Sequence, residues 1–282
     1  MKLRKVSAAA AAVLALSLAA TACGSDDDSG DKGDSGSGGG KKITIGIKID
    51  QPGLGQKLPS GKYAGFDVDV ATYVAKALGY KTNQIQWKEA KSADRETMLE
   101  RGDVQFIAAS YSITDEREQK VDFAGPYLLA HQDILVRADE AGIKDPKDLN
   151  SKTLCSVTGS TSAQNIHDKL APKAQLQEYG GYSECLTGLE NKAVDALTTD
   201  DSILAGYAAQ KEFQGKFKLA GFKMTNENYG IGVKKGSDLK AKINDALKKM
   251  VDDGSWEKAV KDNFGPANYK NEPAPAIGDV VK

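Results

Sequence analysis

"FDVDVATYVAKALGYKTNQIQWKEAKSADRETMLERGDVQFIAAS", residues 66–110, decides the fold class of this chain. Phe66, Val70, Val74 and Leu78 recur at helical spacing and the run stops at Gly79, which predicts a helix. "IQWKEA" (85–90) reads as a strand, and "SADRETMLERG" (92–102) as a short helix opened by Ser92 and closed by Gly102. "VQFIAAS" (104–110) returns to strand. Upstream, "ITIGIKI" (43–49) alternates apolar and other residues as a strand does, and "DQPGLGQKLPSGKYAG" (50–65) reads as a Gly/Pro-rich loop. Strand, helix, strand, helix, strand is the order of an α/β layer with a parallel sheet.

The same order starts again downstream. After a strand at "QDILVRA" (132–138) come "TLCSV" (strand), "GSTSAQNIHDKLA" (helix), "AQLQEY" (strand), "SECLTGLENKA" (helix), "VDALTTD" (strand) and "DSILAGYAAQK" (helix). A late strand, "YGIGVKK", precedes two helices at 239–251 and 256–263, and the Pro-containing tail "NEPAPAIGDVVK" is expected to be extended. Two α/β halves imply a ligand cleft between two lobes, closed by a hinge motion.

Composition narrows the function. The chain has 282 residues, 40% hydrophobic and 27% charged, with a formal net charge of -1. That balance carries no electrostatic footprint for nucleic acid. Two histidines, His131 and His167, and three cysteines supply a metal site or a Ser–His triad poorly, so no metal, cofactor or catalytic residue is expected. His131 falls near the hinge and His167 on a polar helix.

Residues 1–22 read as an export signal: Lys2, Arg4 and Lys5 precede the apolar "SAAAAAVLALSLAA" and small residues up to Cys23. Small residues abutting Cys23 resemble a bacterial lipobox, although Ala20 stands where Leu is usual. That resemblance implies lipidation of Cys23 and tethering outside the cytoplasmic membrane. Residues 23–40, "CGSDDDSGDKGDSGSGGG", read as a flexible tether. Cys155 and Cys185 then remain as an even pair in an exported chain, for which a disulfide is the default.

The stretches "GFDVDVATYVAKALG", "SYSITDEREQKVDFAGPY", "VTGSTSAQ" and "VDALTTDDSILAGY" resemble the polar-amino-acid family of bacterial solute-binding proteins, the receptors of ABC importers. "IDQPGLG", "LCSV" and "TTDDSILAGYAAQ" resemble the glutamate-binding lipoproteins of actinobacteria within it. The resemblance implies a two-lobed, type II-like periplasmic-binding-protein fold, each lobe a mostly parallel sheet flanked by helices, with the ligand in the hinge cleft. One lobe is expected from 41–136 plus 228–268, the other from 137–227, with 269–282 as the tail. The implied partners are an amino acid and a membrane permease, and the chain is expected to act as a monomer.

An amino-acid ligand needs a cation, an anion and hydrogen-bonding groups fixed in advance. Arg117 suits an α-carboxylate because its planar fork can bond both oxygens. Ser110 and Ser112, two apart at a strand end, would line the cleft beside it. The alternative is a surface turn capped by Thr114 with Arg117 exposed; by resemblance Arg117, Ser110 and Ser112 hold the ligand's backbone groups. Ser160 and Thr161 open a helix whose first N–H groups favour an anion, or simply cap it; by resemblance they clamp the α-carboxylate from the second lobe. Asp200 matches the family's acceptor for the α-ammonium, and Asp201 suits a helix cap.

Lys48 and Arg95 occupy positions that resemble those used for an acidic side chain in glutamate and aspartate receptors; the alternatives are a solvated strand-end charge and an exposed pair with Glu96 or Glu100. Tyr63, Phe66 and Tyr111 are candidates for an apolar wall, although Phe66 fits a helix core equally well. The resulting expectation is capture of L-glutamate without catalysis, with glutamine, aspartate or an exported dehydratase of this fold as alternatives.

Overall fold

A computed structural model describes residues 41–281; the leader, Cys23 and the whole of the tether expected over 23–40 lie outside the described residues. The first strands are β1 (Ile43–Ile47), β2 (Asp50–Gln51), β3 (Gly55–Lys57) and β4 (Tyr63–Ala64). Helix α1 (Phe66–Ala77), β5 (Ile85–Glu89), α2 (Arg95–Arg101), β6 (Phe106–Ile107), α3 (Asp115–Glu118) and β7 (Val121–Arg137) follow. Next come β8 (Thr153–Val157), α4 (Thr161–Asn165), β9 (Gln175–Tyr179), α5 (Tyr182–Glu190), β10 (Ala196–Asp200) and α6 (Asp201–Ala208). Strands β11 (Phe217–Leu219) and β12 (Asn226–Lys234) and helices α7 (Leu239–Asp252) and α8 (Ser255–Phe264) complete the set.

The strands run β5-β1-β6-β12-β7-β10-β8-β9, with β11 also on β7. β1 is parallel to β5 and β6, and β8 is parallel to β9 and β10, so each lobe has a parallel outer part. The long strands β7 and β12 join them antiparallel in the middle. β7 changes partner between His131, which faces Asn226 of β12, and Gln132, which faces Asp200 of β10. That crossing is the connection between two α/β lobes.

The predicted helix at residue 66 forms because its apolar face meets a core of Phe66, Val70 and Val74 against Trp256 and Phe264. Phe66 is therefore core and not cleft wall. The entry to α1 requires glycine: Gly65 has φ 124° and a Cβ there would lie 2.1 Å from the Leu54 carbonyl oxygen. The loop expected over 50–65 contains a small sheet, β2-β3-β4, whose two- and three-residue strands are too short to show a period. The helix expected over 159–171 is α-helical only at Thr161–Asn165 and continues as a π turn, Ile166–Leu170.

Cys155 of β8 and Cys185 of α5 form a disulfide inside the buried cluster of the second lobe. Their sequence separation of 30 closes a loop that restricts the unfolded chain. Reduction, or a Cys155→Ala/Cys185→Ala pair, is expected to lower stability by about 3–4 kcal/mol. Chemical denaturation with and without reductant measures this; coincident curves would show that the bond contributes nothing. Among the described residues, no helix is long and apolar enough to cross a membrane.

Candidate functional site

Lys48 follows the last residue of β1 and is only 5% exposed. Its Nζ donates to Ser92 Oγ at 2.8 Å. Arg95, at the start of α2, is 2% exposed; its Nε donates to the Ser92 carbonyl (3.3 Å) and Nη1 to the Ala109 and Ser110 carbonyls (3.1 and 3.3 Å). Neither is a solvated surface charge. Arg117, on α3, is also buried, so the exposed-turn alternative fails even though Thr114 Oγ1 does accept from the Arg117 N–H. Arg117 Nη1 donates to the Ser112 carbonyl (2.8 Å), Nη2 reaches the Gly159 carbonyl of the second lobe (3.0 Å), and Nε faces Glu96 at 3.4 Å.

These three cations form one electrostatic pole. Both guanidinium groups lie over the Tyr111 ring, at 4.0 Å for Arg95 and 5.2 Å for Arg117. Burial, then repulsion by Arg95, pulls Lys48 down to about 7. Burial, then repulsion by Arg117, pulls Arg95 down to about 10. Removing water from like charges disfavours their ionised forms, and an anion placed among them would offset that cost. Of the predicted apolar wall, Tyr111 belongs here, whereas Tyr63 packs on Trp87.

The second lobe holds an acidic cluster. Asp200, the last residue of β10, is 3% exposed, and its carboxylate accepts from Tyr229 Oη and from Ser162 Oγ (3.3 Å). Burial, then repulsion by Glu227, pushes its pKa well above the ordinary carboxylate range. A nearby ammonium would reverse that shift. Asp201, expected as the helix cap, instead opens α6 and accepts from the His131 N–H (3.0 Å), its own neighbour Ser202 N–H and Tyr269 Oη (2.8 Å).

Several of the hydroxyl residues' bonds are already committed. Ser110, at φ 43°, donates its N–H to Asp67 (2.7 Å) and its hydroxyl to Gln51 Oε1 (2.9 Å). Ser112 pairs with Tyr229 as an isolated bridge. Ser160 caps α4 by accepting from the Ala163 N–H (3.0 Å), and Thr161 donates its hydroxyl to Glu227 (2.9 Å). Thr161 and Ser162 therefore offer an anion their first-turn N–H groups more than a macrodipole, because α4 is short. Buried Gln51 Nε2 has no hydrogen-bond partner among the described residues, which is the mark of a polar group built to meet something else.

Two site residues escaped the sequence. Asp67 lies on the buried side of α1, accepts from Ser110 and Tyr127, and is raised to about 6, mainly by burial. Glu227 shares a strand face with Tyr229, Ile231 and Val233 and accepts from Thr161, Thr225 and Asn165. In both cases the available signal was a carboxylate falling in phase with an apolar pattern. His131 bonds to Glu272 at the hinge, and His167 is largely exposed beside Glu178, on a cavity that Arg117 and Ser160 also line.

The chain belongs to the bacterial extracellular solute-binding proteins, family 3, whose family model matches residues 43–266. It is 45% identical over 272 residues to the glutamate-binding protein GluB of Corynebacterium efficiens, covering 93% of this chain and 91% of the relative. It is 42% identical over 224 residues to the ABC transporter glutamine-binding protein GlnH of Bacillus subtilis, covering 78% and 80%. A solved ancestral arginine-binding protein bound to glutamine superposes with a TM-score of 0.74 at 34% identity, covering 79% of this chain and 98% of that one. These relatives are named as binding proteins.

Proposed function

We propose that this chain is the receptor of an ABC importer that captures L-glutamate between its lobes and delivers it to a membrane permease. The observation that carries this is a cluster of buried Lys48, Arg95 and Arg117 in the first lobe together with a buried Asp200 in the second. Two carboxylates and one ammonium match those two poles better than a neutral or cationic side chain does. Arg117 holds the α-carboxylate with the serines and the Thr161 turn, Asp200 holds the α-ammonium, and Lys48 and Arg95 face the side-chain carboxylate. The relatives named for glutamate and glutamine support an amino acid of this length.

The lobes are proposed to be 41–136 plus 228–268 and 137–227, with a lipid anchor on Cys23 and the protein acting as a monomer at the outer face of the cytoplasmic membrane. It binds without catalysis: closure follows from ligand contacts to both lobes, so affinity is greatest in the closed state. A thermal-shift screen against amino acids tests the assignment, since a ligand at a hundredfold excess over Kd stabilises the native state by about 2.7 kcal/mol. L-glutamate should give the largest rise in midpoint. A larger rise with L-glutamine or L-aspartate would reassign the side-chain pocket, and a response only to sugars or peptides would end the proposal.

A further inference from the structure

The hairpin β2–β3 packs against the second lobe through backbone as well as side chains. Tyr207 Oη of α6 donates to the Asp50 carbonyl, and the Asp50 carboxylate faces the N–H and hydroxyl of Ser183 at 3.4 Å. The hairpin itself is bound to α1, since the Phe66 and Asp67 N–H groups donate to the Gly53 and Leu54 carbonyls at 3.0 Å. It is thus attached to the first lobe while touching α5 and α6 of the second.

Where the hairpin meets α6 there is no room for a side chain. A Cβ built on Gly206 would lie 2.0 Å from the Pro52 carbonyl oxygen, and that oxygen is backbone that cannot rotate away. Backbone also blocks Gly159, where a Cβ would lie 2.7 Å from Ala93 Cα, whereas a Cβ on Gly181 would lie 2.7 Å from the Asp50 carboxylate, a side chain that can turn aside. Gly206 differs from Gly159 in one respect. Gly159 has φ +75°, a conformation that selects glycine by itself, whereas Gly206 sits inside α6. Inside a helix, alanine is the better residue and glycine carries a conformational cost. Nothing within α6 calls for glycine at 206; Pro52 does.

We propose that Gly206 is a positioning residue for ligand capture, its missing side chain setting how closely the Pro52 hairpin of one lobe can approach α6 of the other. It touches no ligand. It acts through the lobe–lobe distance, and so through whether the cationic pole of the first lobe and Asp200 of the second reach one ligand together. The inference rests on the proposed amino-acid-binding reading.

Gly206→Ala tests it, with Gly188→Ala as the matched control. Gly188 lies in α5 of the same lobe, and a Cβ there would meet only Val194 at an ordinary 3.6 Å. In the proposal the lobes rest apart without ligand and meet at Pro52 only on closure, so both variants should keep or raise the thermal midpoint without ligand, because each replaces a helical glycine. Calorimetry with L-glutamate should show Kd weakened about 5- to 150-fold for Gly206→Ala, the range that overpacking strain produces, and unchanged for Gly188→Ala. Solution scattering should show that glutamate compacts the parent protein more than the Gly206→Ala variant. An unchanged Kd would overturn the proposal. So would a Gly206→Ala protein that fails to fold or loses stability without ligand, since the contact would then belong to the resting fold. If the parent protein itself binds no amino acid, it is the proposed function that fails.

Discussion

Replacing Asp200 by alanine is expected to weaken binding of glutamate, glutamine and aspartate alike, because all three present the same α-ammonium. Asp200 is buried with its carboxylate held by Tyr229 and Ser162, and burial beside Glu227 holds its pKa high. An ammonium entering that pocket relieves the repulsion; without Asp200 it is desolvated with no direct acceptor. Truncating one partner of such a pair costs about 2–5 kcal/mol, on the order of 30- to 4,000-fold in Kd. Asp200→Asn keeps the shape and one acceptor oxygen and should fall between. Calorimetry across the three ligands reads this directly, and affinity retained by Asp200→Ala would move the ammonium site elsewhere, with Glu227 the next candidate.

Arg95→Ala is expected to discriminate between ligands. Facing a side-chain carboxylate, Arg95 contributes a charge-assisted contact that glutamine can match only with a neutral hydrogen bond. The loss for glutamate should be about 2–5 kcal/mol and that for glutamine about 0.5–1.5 kcal/mol, so the preference for glutamate falls by about 70-fold at the middle of those ranges. Arg95 also braces the Ala109 and Ser110 carbonyls and stacks on Tyr111, so the ligand-free midpoint must be measured alongside. Equal losses for the two ligands would remove Arg95 from specificity and leave it a brace for Ser110.

Much of this was legible in residue order. The alternation of 3.6- and 2-residue periods marks the two α/β halves, and the family resemblance places Arg117, Asp200, Lys48 and Arg95 at positions the structure does bury. What the sequence withheld was mostly orientation. Thr114 caps its turn as a surface loop would, yet the Arg117 side chain leaves that turn inward, which no local pattern encodes. Strand β6 stops at Ile107, three residues before Ser110 adopts φ 43°, so a run that reads as one strand becomes a strand and a loop. Thr161 reads as a ligand hydroxyl, but its hydrogen is directed to Glu227, a residue 66 positions away that only tertiary contact brings near. The apolar phase of Asp67 and Glu227 was visible and is the kind of exception at which sites are found.

In the proposed function the buried cations Lys48, Arg95 and Arg117 and the buried Asp200 are matched to a single acidic amino acid. Titration calorimetry of the mature protein with L-glutamate and, separately, L-glutamine measures it most directly. One-to-one binding with glutamate held at least tenfold tighter than glutamine is the predicted result. Glutamine bound as tightly or more tightly, or no heat with either, would contradict it.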